Sequence, residues 1–223
     1  MGTHAIPLSS TASHPVRLQI IPALDGRNRL TTAFRAILAI PHLLLVGGPI
    51  ALFITWSGND SSRADHSIGA GGVLGAVAFI CALIAWFAIV FTGRTPDGLW
   101  RLSAFYLRWR VRSAAYVALL RDEYPPFGDA PYSAEVDVPV PLEPRNRLTV
   151  AFRPILALPH LLVVWLIGVA WGVVSVIAWF AILFTGRYPA ALYQFAVGAL
   201  RWTTRVEAYL LLLTDDYPPF TLD

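Results

Sequence analysis

The sequence predicts an all-α integral membrane protein made of two tandem helical-hairpin repeats. Three observations predict it. First, the chain states one pattern twice: RNRLTTAFRAILAIPHLLLV at 27–46 returns as RNRLTVAFRPILALPHLLVV at 145–164, with four mismatches in twenty positions. Second, both copies carry long apolar runs, and the chain is 56% hydrophobic but only 14% charged, where a soluble domain carries roughly 25%. Lipid penalises each charge placed in its core, which accounts for such a deficit. Third, if each apolar run folds back on itself, only Arg63 of the 17 basic residues lies beyond the turns. That bias is the one the positive-inside rule expects, and it places the arginine-rich side in the cytoplasm.

Residues 1–13 are polar and read as a disordered tail. The first 30 residues show no apolar stretch of signal-peptide type, so both termini are expected in the cytoplasm. Repeat 1 is expected over 14–127 and repeat 2 over 131–220, joined by Gly-Asp-Ala-Pro. Each repeat opens on alternating apolar residues, Val16, Leu18 and Ile20 in the first and Val136, Val138 and Val140 in the second. Period two beside prolines predicts short edge strands on the cytoplasmic side, and pairing between the two copies is one arrangement open to them.

The apolar run is the decisive element. In repeat 2 it covers 154–185, or about 48 Å as one helix, while the hydrocarbon core is only about 30 Å thick. In repeat 1 about 25 extra residues separate the PH motif from the WFA motif, among them the polar SGNDSSRADHS at 57–67. A polar insertion is tolerated in a loop and hardly in mid-helix within lipid. The run therefore reads as a hairpin, giving about four transmembrane helices, with the repeat 2 turn near Gly168 to Gly172. Both repeats would then start and end inside, parallel to one another about an axis along the membrane normal. Thr31 and Thr149 are expected as N-caps. Thr-Gly-Arg followed by Pro96 or Pro189 predicts a left-handed glycine cap and a helix stop.

A third helix is predicted in each repeat, over about 97–120 and 190–213. Its mixture of aromatics with arginines suits an amphipathic helix in the headgroup plane. A spanning placement would bury Arg201, Arg205 and Glu207 at about 2.5–3.5 kcal/mol each.

WFAIVFTGRTP at 86–96 returns as WFAILFTGRYP at 179–189, and DEYPPF at 122–127 as DDYPPF at 215–220. Together with the RLTxAFRxILAxPHLL segments and the LRW-bearing helices, these motifs resemble the bacterial DUF4389 family of small membrane proteins, in two copies. The resemblance implies multi-pass membrane location and no chemistry. The insertion at 57–67 departs from the pattern.

Functional candidates fall into three groups. Arg101, Arg108, Trp109, Arg110, Arg201, Trp202 and Arg205 form an expected interface belt for lipid, with anionic headgroups as partner and a membrane protein as a further one. Arg35, His42, Arg153 and His160 are intramembrane polar candidates. Each His follows its Arg by seven residues and so shares a helix face with it. They suggest a transport path, or bis-His ligation of heme or a metal if the repeats bring the imidazoles together. The simpler reading is a His that bonds a carbonyl freed by the preceding proline. Third, Asp122/Glu123 and Asp215/Asp216 are expected to pair with Arg27/Arg29 and Arg145/Arg147. No Ser/His/Asp set, phosphate-binding loop or CxxC pair is present. The function expected is a non-enzymatic accessory or scaffold protein without catalytic residue, cofactor, metal or nucleic-acid partner.

Overall fold

The computed structural model describes residues 14–48, 72–141 and 143–222. The element order is β1 (Arg17–Ile20), α1 (Arg29–Val46), α2 (Gly72–Thr92), α3 (Asp97–Val117), β2 (Ala134–Asp137), α4 (Arg147–Ala151), α5 (Arg153–Thr185) and α6 (Ala190–Leu210). The expected tail at 1–13 and the insertion loop at 57–67 lie outside the described residues.

The local rules explain most boundaries. Asn28 and Asn146 are the N-caps: each side-chain oxygen accepts from two backbone N–H groups, those of Leu30 and Thr31 and those of Leu148 and Thr149. The threonines expected there instead bond their own cap carbonyls through Oγ1. Glycines end α2 and α5 in the left-handed region, Gly93 at φ 74° and Gly186 at φ 71°, as the Thr-Gly-Arg motif predicts. The third helices form close to their expected bounds, at Asp97–Val117 and Ala190–Leu210.

The hairpin expectation fails in repeat 2. α5 runs unbroken for 33 residues through Gly168 and Trp171, both buried, and no turn interrupts it. Three helices of the described residues, α1, α2 and α5, are long and apolar enough to cross a membrane, rather than about four. Hydrogen bonds between the repeats show how repeat 1 answers this long helix. Trp86 Nε1 donates to Val150 O at 2.8 Å, so the end of α2 sits at the start of α5. Trp179 Nε1 donates to Thr32 O at 2.9 Å, so the end of α5 sits at the start of α1. The Arg27 and Arg145 N–H groups bond Gly186 O and Gly93 O, which repeats the exchange.

A 33-residue helix rises about 50 Å, so those two meeting points are far apart. A hairpin of α1 and α2 would instead bring Thr32 and Trp86 together. The two helices, about 27 Å and 31 Å long, must follow one another, α1 beside the end of α5 and α2 reaching α4, and overlap only near their junction. There Val46, Ala78 and Tyr106 pack as one cluster. Repeat 1 is therefore an interrupted copy of the long helix, antiparallel to α5. The pseudo-twofold axis runs across the long helices, not along them as the parallel-hairpin reading expected.

One substitution between the copies has a visible result. Position 36 is Ala and its repeat 2 equivalent is Pro154. Pro154 has no N–H for Val150 O, so α4 and α5 separate at Phe152, whereas α1 runs on through Ala36.

Three layers result. α1, α2 and α5 form the first. α3 and α6 form the second, packed on the long helices and on each other. The third is the antiparallel ribbon of β1 and β2, which packs on α3 and α6. Leu18 faces Val136, and the two are equivalent residues, since 136 − 18 equals the 145 − 27 repeat offset. The ribbon thus sits on the pseudo-twofold axis, midway between the ends. Val16, Leu18, Val136 and Val138 point into the main core with Leu107, Val111, Trp171 and Leu200, while Val140 is exposed.

Spin labels at Ile155→Cys and Phe184→Cys, with Cys81 replaced by Ala, should lie about 44 Å apart along one helix. Pulsed dipolar spectroscopy measures this distance, and a separation under about 25 Å would restore the hairpin.

Candidate functional site

Two equivalent ion clusters tie the ends together. Asp122 takes Arg27 at 2.6 Å and Arg35 at 2.6 Å. Asp215 takes Arg145, and Arg153 at 2.6 Å. The carboxylate–arginine pairing expected at Arg27 and Arg145 is present, and Arg35 and Arg153 join it as second cations. Arg29 and Arg147 do not take the role expected of them; each lies over the terminal glycine of the other repeat, Gly186 and Gly93.

The four paired guanidiniums are buried, and they also hold carbonyls. Arg27 and Arg145 bond Leu119 O and Leu212 O. Those two leucines adopt φ of 64° and 61°, a strained conformation for a side-chain-bearing residue. Arg35 bonds Tyr116 O and Arg121 O; Arg153 bonds Tyr209 O and Thr214 O. Each of this second pair also stacks on a tyrosine ring, Arg35 at 4.6 Å from Tyr116 and Arg153 at 4.3 Å from Tyr209. Burial by itself raises the carboxyl pKa of Asp122 and Asp215, but hydrogen bonds and charge from the arginines outweigh it, and both are lowered.

The two histidines lie one step inward, and neither is exposed. His42 stacks on Phe127 at 4.5 Å and meets Tyr124 at 4.9 Å, while Trp109 Nε1 donates to its Nδ1 at 3.0 Å. His160 stacks on Phe220 at 4.2 Å and meets Tyr217 at 4.6 Å and Trp202 at 5.7 Å. Each YPPF segment thus closes over the imidazole of its own repeat, and the two cages share no residue. Trp202 donates elsewhere, to Pro219 O, and neither His160 nitrogen has a hydrogen-bond partner among the described residues. The expected bond from His to a carbonyl freed by proline holds neither ring; aromatic packing holds both, and the Trp109 N–H also holds His42. Among the described residues no group of three or more His, Cys, Asp or Glu is placed to hold a metal ion.

The expected interface belt is dispersed. Arg110 is 5% exposed, pairs with Glu207 at 2.7 Å and bonds Val46 O. Trp109 and Trp202 are buried in the cages. Arg108 pairs with Asp129 at 3.2 Å, and Arg201 reaches Leu222 O at 3.4 Å. Arg205 is half-buried, and of the seven residues only Arg101 is exposed.

The face that sequence reasoning did not single out is the outer side of the long helices. It exposes Phe34, Ile37, Ile40 and Leu44 on α1, Phe79, Ile80, Leu83, Phe87 and Phe91 on α2, and a row from Ile155 to Phe184 on α5. The signal was available in the non-buried phase of each apolar run, where polar residues would mark a water-facing helix. Here that phase is apolar.

The family sequence profile described as "Domain of unknown function (DUF4389)" matches residues 68–128 and 147–221. The chain belongs to the DUF4389 family. It carries two copies, as the repeated motifs predict. The first DUF4389 match opens near the start of α2, beyond the insertion, whereas the second includes all of α5. No curated protein and no solved structure gave a match.

The lowered carboxyl values of Asp122 and Asp215 set a pH dependence. A folded pKa below the unfolded ~3.9 contributes stability that is full above that value and is lost as pH falls through the folded one. Asp122→Asn leaves two buried arginines without their counter-charge and should cost about 3–5 kcal/mol at pH 7. Denaturant titrations in detergent at pH 7 and pH 3 check both: the wild type should weaken on acidification, and the variant should start lower and change less.

Proposed function

We propose that this protein is a non-enzymatic, membrane-associated scaffold. Its three apolar helices lie in lipid, and arginines around them meet anionic headgroups. One observation carries the reading. The exposed large apolar side chains concentrate on α1, α2 and α5, whereas α3 between Ser103 and Tyr116 is mostly buried and the ribbon presents Arg17, Gln19, Glu135 and Asp137 outward. Two helices side by side, each about 10 Å wide over about 50 Å, make a face on the order of 1,000 Å². Monomeric soluble proteins rarely expose apolar patches beyond about 300–600 Å².

The polar interior supports a structural role rather than a catalytic one. Arg35, Arg153, His42 and His160, the residues of the alternative transport path, are committed to ion clusters and aromatic cages. The headgroup contacts fall to exposed arginines at the helix ends, Arg29, Arg94, Arg147 and Arg187, together with Arg101. Anionic cytoplasmic leaflets attract such residues at about 1 kcal/mol each. We place the protein at the inner face of the cell membrane, with both termini in the cytoplasm.

Density-gradient flotation tests this. Protein transferred from detergent should float with phosphatidylcholine vesicles, and more strongly with vesicles that also contain phosphatidylglycerol. The triple variant Arg29→Gln, Arg94→Gln, Arg147→Gln should lose about tenfold or more of the anionic preference and keep the basal binding. A wild type that stays monodisperse without lipid or detergent would overturn the proposal.

A further inference from the structure

We infer that the protein lies flat in one leaflet, its long helices parallel to the membrane surface, and does not cross the bilayer. This rests on the membrane reading above and specifies its geometry.

Three observations carry it. The first is length. α5 exposes large apolar side chains from Ile155 to Phe184, along about 44 Å of helix. Fitting the whole of it across a core of about 30 Å needs a tilt of about 47°, beyond the roughly 0–40° that spanning helices show.

The second is the likeness of the two ends. At one end Arg29 and Arg187 stand beside exposed Leu30 and Phe184; at the other, Arg147 and Arg94 stand beside exposed Leu148 and Phe91. The antiparallel pairing of repeats requires this. A crossing orientation would put equal arginine sets on opposite sides of the membrane, which the positive-inside rule disfavours. In the flat orientation both sets meet the same headgroup layer.

The third is the ribbon. It sits on the pseudo-twofold axis, midway along the long helices, and turns Arg17, Gln19, Glu135 and Asp137 outward. Were the long helices to cross, these groups would lie at mid-bilayer, at about 2.5–3.5 kcal/mol for each charged one. Flat, with α1, α2 and α5 downward, the ribbon is on the side away from lipid and stays in water. The layer order of long helices, α3 with α6, then ribbon becomes a depth order. The apolar face would enter about 5–10 Å, as amphipathic interfacial helices do.

The occupant of the face is lipid rather than a second copy. A face-to-face dimer would bring the end arginines of one copy against those of the other, and like charges placed together at an interface cost energy.

Nitroxide labels test the inference in full-length protein with Cys81 replaced by Ala, bound to vesicles of phosphatidylcholine and phosphatidylglycerol. Phe91→Cys, Val173→Cys and Phe184→Cys sample one end, the middle and the other end of the face, and Gln19→Cys samples the ribbon. Oxygen and a water-soluble nickel chelate then report depth. The inference expects one shared shallow depth for the three face labels, with aqueous exposure at position 19. It also expects a membrane-impermeant thiol reagent to give all four positions the same sidedness. If position 173 is deepest and positions 91 and 184 react from opposite sides, the helices cross: the flat geometry is overturned and the membrane reading stands. If position 173 is shielded from both relaxants and couples to a second label, the face is a dimer interface. Absence of vesicle binding overturns both readings.

Discussion

Asp122 and Asp215 each hold two arginines that come from different elements, and the architecture depends on these two clusters. In the first, Arg27 precedes α1, Arg35 lies within it, and Asp122 follows α3. The cluster therefore fixes where α3 ends relative to where α1 begins. The same guanidiniums bond carbonyls at the ends of α3 and α6, groups that a helix terminus otherwise leaves unpaired. Arginine suits this work and lysine does not, because one planar fork serves a carboxylate and a carbonyl together. The positive φ at Leu119 and Leu212 is tolerated where a buried arginine grips the carbonyl of the same residue.

Each cluster also marks a junction between repeats. Arg27 N–H bonds Gly186 O and Arg145 N–H bonds Gly93 O, so the glycine that ends one repeat's long helix receives the residue that opens the other repeat. Trp179 and Trp86 reinforce those junctions with carbonyls of α1 and α4. The repeats thus exchange ends. Antiparallel long helices follow, and with them the likeness of the two ends and the axial position of the ribbon.

Much of this was legible in particular residues. The duplication, the strand pairing, the glycine caps and the pairing of Asp122 with Arg27 all rest on local chemistry or on identity between copies. The direction of the long run was not legible. Apolar periodicity says which side of a helix is covered, but a turn and a continuation through Gly168 look alike when every phase is apolar. The polar insertion at 57–67 argued for two elements on either side of it, and α1 and α2 are separate helices; the conclusion did not carry to repeat 2, which has no insertion. The role of Arg110 was also hidden. Its partner Glu207 is 97 residues away and has no acidic counterpart in repeat 1, where the equivalent position is Ala114.

That last pair shows what tandem fusion permits. The equivalent of Arg110 is Thr203, so the twofold image of the Arg110–Glu207 pair is Thr203 with Ala114. In a symmetric dimer of single repeats, each copy would carry the same residue at both positions, and the centre would hold either two ion pairs or none. Two would bury twice the charge, and one desolvated pair already returns little net stability. One pair, tied to Tyr106 and to Val46 O, instead fixes α6 against the junction of α1 and α2. That junction is where repeat 1 has two helices in place of the single α5. The asymmetric ion pair and the interrupted helix meet at the same place, so the fused chain can set α6 against the break in the long helix of repeat 1.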